Sequence, residues 1–188
     1  MNLSAPLRFV RVLLAAACAL ALCLALAPAA SAAKPCANAH ALPGEVDRKA
    51  LSKSTLCLVN KQRKRRGMRK LRNNKRLSRA AQVHAQDMVR RQFFSHDSPS
   101  GASVVDRIKR VGYLSSTRAW SVGENIAWGS GSQSTPKKIV RAWMNSPGHR
   151  KNILTRKFRE IGIGIAVGAP SGRSSESATY VHDFGMRR

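Results

Sequence analysis

The run Ile161-Gly162-Ile163-Gly164-Ile165-Ala166-Val167 restricts the fold more than any other stretch of the chain. It is short, apolar and β-branched, which is the pattern of a buried strand. Its glycines imply that a neighbouring backbone approaches closely. A polar loop, Ala169 to Ser177, separates it from a second strand run, Thr179 to Phe184. Two such runs joined by one loop predict an antiparallel hairpin.

Helical patterns fill most of the chain before this hairpin. A first helix is expected from about Val46 to Arg66, with Ala50, Leu51, Leu58 and Val59 apolar and Gly67 as terminator. A second follows Asn73-Asn74, either of which can cap it. Leu77, Ala80, Ala81, His84, Ala85 and Met88 recur at i, i+3, i+4 and i+7 and form one apolar face. His84 lies on that face and reads as a core histidine with a hydrogen-bond partner rather than a ligand. The helix is expected to end near Phe93-Phe94, leaving Ser95-His96 at its exit.

A short helix from Ala102 to Val111 is ended by Gly112, and Leu114 to Ser121 reads as loop. Glu124 to Trp128 reads as a strand, and Gly129 to Thr135 as flexible by composition. Ser134 or Thr135 then caps a helix that starts at Pro136, with Ile139, Val140 and Trp143 inward. Pro147-Gly148 breaks it before a short helix through His149 to Leu154. Helices first, then strands mixed with short helices, define an α+β chain. There is no internal repeat.

Residues 1–32 read as a cleaved leader. Arg8 and Arg11 form its basic start, Val12 to Ala27 is apolar, and Ala30-Ser31-Ala32 fits an A-x-A cleavage site. Cys18 and Cys23 fall inside it, without the context of a lipoprotein acylation site. The remaining chain is expected to be exported and secreted, and its length suits one domain. It retains two cysteines, Cys36 and Cys57. In an oxidising compartment that even pair predicts a disulfide tying an N-terminal segment, residues 33–57, to the first helix. Closing a loop of that size stabilises by about 3 kcal/mol.

The formal charge is +25, and removing a leader with two arginines and no acid leaves +23. Such a surface attracts polyanions, including acidic wall polymers and anionic lipid. The densest run, Lys61 to Lys70, contains no aromatic residue and lacks the stacking platform of a single-strand binder. It reads as a solvated helix end with cations near the C-terminal dipole. Specific nucleic-acid binding is not expected.

Three polar groups stand where chemistry is possible. His96 follows a helix exit, Glu124 lies in a strand, and His149 follows a Pro-Gly turn. Element ends are where side chains point into clefts. Two imidazoles and a carboxylate suit a zinc-like ion completed by water, and equally suit proton transfer. In the plainest alternative, Glu124 caps a backbone feature and each histidine hydrogen-bonds locally.

The ordered set of motifs narrows this choice. It comprises Leu58-Val59-Asn60 with Arg63 and Gly67; Leu77 with Ala80-Ala81 and Met88; Phe94-Ser95-His96; Asp106-Arg107-Ile108 with Gly112-Tyr113; and Gly123-Glu124-Asn125-Ile126-Ala127. It continues with Trp143 and Ser146-Pro147-Gly148-His149-Arg150, then Asn152-Ile153-Leu154, Ile161-Gly162-Ile163-Gly164 and Asp183-Phe184-Gly185. From Leu58 to Gly185 the chain resembles the short bacterial form of the CAP superfamily (cysteine-rich secretory proteins, antigen 5 and pathogenesis-related 1 proteins). The resemblance implies a CAP domain over residues 58–188, folded as a three-layer α-β-α sandwich around a mostly antiparallel sheet. It implies a cleft lined by His96, Glu124 and His149 beside Asn125, with His96 and His149 as zinc ligands.

Longer members carry a further acid shortly after the residue equivalent to Trp143. Here that stretch reads Met144-Asn145-Ser146-Pro147. Asp97 and Asp106 are the nearest acids in sequence, and Asp106 reads as an ion-pair partner of an arginine. The missing acid counts against paired-carboxylate proton transfer and leaves a two-histidine metal site intact. The function expected is a secreted binding module for a lipid, a peptide or a cell-envelope surface. The alternative is a peptidase-like hydrolase in the same cleft, with Ser95 or Ser146 as nucleophile. Neither serine lies in a Gly-x-Ser-x-Gly elbow.

Overall fold

The computed structural model describes residues 35–172 and 175–188, and the leader expected over 1–32 lies outside the described residues. The elements in order are α1 (Arg48–Lys64), β1 (Arg72–Asn73), α2 (Lys75–Arg90), α3 (Val104–Arg110) and β2 (Trp120–Ser130). A 3-10 turn (Gly131–Ser134) leads to α4 (Pro136–Asn145), α5 (Pro147–Ile153), β3 (Glu160–Val167) and β4 (Ser177–Arg187). The sheet order is β1-β3-β4-β2. β3 and β4 form the expected antiparallel hairpin, β2 pairs antiparallel with β4, and only the short β1–β3 pair is parallel.

Strand alternation divides the core into two layers. On one face Ile161, Ile163 and Ile165 of β3 and Tyr180 and Phe184 of β4 pack against Leu51 and Val59 of α1, Trp143 of α4 and Ile153 of α5. On the other face Ile126, Ala166 and Val181 pack against Ala81, Ala85 and Met88 of α2. Leu77 and Ala80 meet Ile108 of α3 and Tyr113 nearby. The result is the α-β-α sandwich, with α1, α4 and α5 on one side and α2 and α3 on the other.

The glycines of β3 account for how closely α2 sits. A Cβ at Gly162 would overlap the α2 backbone at Leu77 and Ser78, and one at Gly164 would overlap it at Ala81 and Gln82. Asn74 caps α2 by accepting from the N–H groups of Arg76 and Leu77. Cys36 and Cys57 are joined, tying the N-terminal segment to α1.

Several local expectations are corrected. α1 is shorter than predicted at both ends, and α2 stops at Arg90, before Phe93-Phe94. β2 begins at Trp120, inside the predicted loop, because it pairs with β4 along its whole length. The glycine-serine stretch after it is ordered. The Ser134 and Thr135 hydroxyls bond back to the carbonyls of Gly131 and Ser132 instead of capping α4. The Tyr180 hydroxyl donates to the Ser134 carbonyl. The basic run at the end of α1 is not uniformly solvated either. Arg63 is fully buried, and its guanidinium donates to the carbonyls of Arg69, Ile153, Thr155 and Phe158. Burial and the nearby Arg159 hold its pKa below the ordinary value.

Gly162→Ala and Gly164→Ala should each cost about 3 kcal/mol, the upper range for overpacking, because backbone must move. Gly148→Ala meets open space at the start of α5 and should be neutral or stabilising by up to about 1 kcal/mol. Urea denaturation of the three variants measures both effects.

Candidate ligand and metal site at the β2 edge

Glu124 and Asn125 are successive residues of an edge strand, so they face opposite sides of the sheet. Each organises one half of the site. Glu124 faces the α2–α3 side and is almost wholly buried, its side chain 1% exposed. One carboxylate oxygen accepts from the Arg107 guanidinium at 2.7 Å, and the other pairs with His96 Nδ1 at 2.7 Å. Arg107 is itself 4% exposed, whereas His96 is 53% exposed and leads to the surface. Breaking a buried pair by removing one partner typically costs about 3–5 kcal/mol, because a bare charge is left inside.

The second half lies on the α4–α5 side. The fully buried Asn125 donates to the His149 carbonyl at 3.0 Å. Asn152 donates to the Glu124 carbonyl and to Asn125 Oδ1, so α5 is stitched to β2 beside Glu124. His149 Nδ1 pairs with Ser146 Oγ at 3.0 Å, and its ring lies 6.5 Å from that of Trp143. Burial and the nearby His96 both lower the His149 pKa. Of the expected residues, His96 and Glu124 pair directly on the α2–α3 side. His149 lies on the α4–α5 side of the same strand, held by Ser146 and Asn125 and near enough to His96 for that charge to lower its pKa. Asn125 supports His149 with its amide already used.

His84 has the core role expected of it, with a consequence the sequence did not show. Its Nε2 bonds the Ser95 carbonyl at 2.9 Å, which fixes the residue before His96. Burial is the first cause of its lowered pKa, so the ring is neutral and Nε2–H is the donor.

Among the described residues Asp106 forms no ion pair with an arginine. It completes the capping box of α3 with Ser103, while its neighbour Arg107 turns inward to Glu124. Asp97 is exposed. The second acid of the site is Asp183, opposite Glu124 in the β2–β4 register. It is fully buried, and neither carboxyl oxygen has a hydrogen-bond partner among the described residues. Burial and the Glu124 charge push its pKa well up, which favours the neutral carboxyl. Its signal was an acid in the middle of the apolar run Tyr180 to Phe184.

Burial alone would raise the Glu124 pKa, but the His96 hydrogen bond and the Arg107 charge outweigh it and hold it below its ordinary value. The same hydrogen bond raises His96 above its own. Among the described residues there is no group of three or more His, Cys, Asp or Glu side chains placed to hold a metal ion. No described helix is long and apolar enough to cross a membrane.

An α-β-α sandwich with a histidine-glutamate site at one sheet edge defines the class, and comparison with known proteins supplies the family. Residues 56–182 match the cysteine-rich secretory protein family, CAP, and the chain belongs to that family. It is 42% identical over 115 residues to the uncharacterized protein YkwD of Bacillus subtilis, covering 61% of this chain and 42% of that protein. It is 33% identical over 113 residues to the uncharacterized membrane protein YlbC of the same organism, covering 60% of this chain and 31% of YlbC. The chain thus spans less than half the length of either relative. Among solved structures, an outer surface protein of Borrelia burgdorferi matches 76% of this chain and 97% of its own at 20% identity, with a TM-score of 0.63. An extracellular protein of Bacillus anthracis containing an SCP domain matches 74% of this chain and 43% of its own at 25% identity, with a TM-score of 0.55.

The shifts at His96 and Glu124 set a pH window. The raised His96 pKa contributes stability fully below about 6.5, lost as pH rises through the folded value. The depressed Glu124 pKa contributes fully above about 4.5, lost as pH falls through the folded value. The pair is therefore strongest between those limits. NMR titration should place His96 above its ordinary pKa, and Glu124→Gln should bring it down. Arg107→Ala should destabilise by about 3–5 kcal/mol, and adding Glu124→Gln should recover part of that loss in urea melts.

Proposed function

We infer that this is an exported CAP-domain binding protein whose β2-edge site holds a ligand, with a zinc-class ion as an optional part of the site. The observation that carries this reading is the orientation of the two histidines. His96 and His149 each use Nδ1 on a protein partner, Glu124 and Ser146, which leaves both Nε2 atoms for a ligand. A metal-bound imidazole commonly gives its other nitrogen to a carboxylate, as His96 does. His96 and His149 would supply two nitrogen donors, one fewer than the three protein ligands of a catalytic zinc site. The bound ligand or solvent would supply the rest, and His96, whose pKa is raised by Glu124, would lose a proton on binding. Such an ion supplies a Lewis-acidic point for a ligand oxygen. His149 favours the metal-binding neutral form, since burial lowers its pKa.

Export is supported by the leader pattern of residues 1–32, by the Cys36–Cys57 disulfide and by the likeness to an extracellular protein. The formal charge of +25 favours an anionic envelope surface as the setting. Exposed Phe94 and Trp128 lie on the segments that carry His96 and Glu124 and suit a ligand with an apolar part, a lipid or a peptide.

One observation favours the hydrolase reading, the Ser146–His149 pair at 3.0 Å. That pair lies within one turn at the start of α5, and no described carboxylate bonds His149 to orient it as a base. Ser95 Oγ instead accepts from the Asp97 N–H. Glu124 has both oxygens engaged and a depressed pKa, which makes it a poor proton acceptor at neutral pH.

Calorimetric titration with zinc tests the metal reading. A His96→Ala/His149→Ala variant should bind at least about tenfold more weakly than wild type. Equal heats from the two proteins, both shown folded by circular dichroism, would remove zinc from the site.

A further inference from the structure

The sheet has a second edge, remote in strand order from β2. β1 covers only the start of β3, where the Asn74 N–H donates to the Ile161 carbonyl. Beyond that point β3 runs to Val167 with no neighbouring strand on this side. One side chain stands in for the strand. Gln82 of α2 donates from Nε2 to the Ile165 carbonyl at 2.9 Å, and its Oε1 accepts from the Ile165 N–H at 3.0 Å. In an antiparallel ladder alternate residues turn their backbone groups to alternate sides. Because Ile165 turns both groups outward, Ile163 and Val167 do the same. Among the described residues nothing takes their outward N–H and C=O groups.

A groove follows this edge on both sides of Gln82. One part, of about 550 Å³, lies between α1 and α2 beside Ile165 and Val167. The other, of about 460 Å³, lies beside Ile163. Val167 is 54% exposed at the groove's end. The lining is cationic, with Arg48, Lys49, Lys75 and Arg79. Its one acid, Asp47, accepts from the Ala50 N–H through one oxygen at the start of α1, and the cations outnumber it.

We propose that this edge of β3 takes an extended acidic peptide as an added strand, with Gln82 as the plug that the peptide's backbone displaces. The two-point bond of Gln82 already traces what a strand would make at Ile165. Strand addition recruits affinity from the main chain and specificity from alternate side chains. Here the main-chain partners are Ile163, Ile165 and Val167, and the cations on both helices select carboxylates. An exposed edge needs a guard against indiscriminate pairing. A single glutamine provides one that a matched peptide can replace bond for bond.

The test uses the full chain and a fluorescein-labelled peptide that alternates Glu and Val, read by anisotropy at physiological salt. A second peptide has the same side chains with N-methyl groups on alternate amides. It keeps the charge and removes the donors. It should bind about tenfold more weakly, the loss expected for one or two backbone hydrogen bonds. The amide resonances of Ile163 and Val167 should shift on binding the first peptide, and Gln82→Ala should tighten it. Equal binding of the two peptides would overturn the proposal in favour of charge alone. Resonance shifts confined to the β2 edge, or a Gln82→Ala protein that pairs with its own copies and ignores the peptide, would overturn it as well.

Discussion

The contact between α2 and the glycine face of β3 sets the spacing that the rest of the molecule relies on. With no Cβ at Gly162 and Gly164, the helix backbone rests against the strand at Leu77 and Ala81. That depth fully buries His84 one turn further along, within reach of the Ser95 carbonyl. The bond fixes where the chain leaves α2, and so where His96 meets Glu124. Hydrogen bonds of 2.7–2.9 Å tolerate little movement. A helix lifted by one methyl group would loosen this chain of contacts well away from the substitution. Packing on the α2 face thus controls polar geometry at the β2 edge.

The polar interior beside that edge works because only one of two neighbouring carboxyls is charged. Glu124 keeps its charge against Arg107 and His96, while Asp183 across the ladder is held neutral by burial and by Glu124 itself. Two bare carboxylates so close would repel in a low-dielectric setting. The Arg107 charge balances one acid, not two. His182, on the opposite face of β4, follows the same logic. It lies fully buried against Trp143, with ring centroids 4.2 Å apart and its pKa pushed down to about 3, so the ring stays neutral. Beside the β2 edge, the buried charge is the Glu124–Arg107 pair, which reaches solvent through His96, and the other buried cation, Arg63, is held apart by backbone carbonyls.

Much of this was legible because it followed from local chemistry. The alternation of Ile and Gly announced a close neighbouring backbone, the Asn73-Asn74 pair and the face from Leu77 to Met88 announced α2, and the even cysteine pair announced the disulfide. The order of motifs singled out His96 and Glu124, which pair, and His149, which stands across the same strand. What stayed hidden depended on register and on side-chain reach. Asp183 becomes the neighbour of Glu124 only once β2 and β4 are aligned residue for residue. Arg107 and Arg63 stand in the ordered motifs, but their side-chain partners do not show there. Nothing local says that one turns in to meet a carboxylate and the other to collect four carbonyls. The serine-rich turn after β2 looked mobile because composition does not show the Tyr180 hydroxyl that receives it.

The two edges of the sheet face one physical problem and meet it differently. An unpaired strand edge exposes backbone donors and acceptors that will bond to whatever fits. At β2 the exposed edge is occupied by side-chain chemistry. Asn125 and Asn152 link it to α5, and Glu124 turns the other way to a buried arginine, so the strand is locked between two layers. A locked edge suits a preorganised site whose histidines present fixed atoms outward. At β3 the edge is shielded by one uncharged side chain with both of its polar atoms engaged and cationic grooves on either side. Uncharged amide bonds can be exchanged for a peptide's without stranding a charge, whereas the Glu124–Arg107 pair cannot be opened that way. The same sandwich therefore keeps one edge rigid and leaves the other exchangeable, and the difference follows from which residues cover each strand.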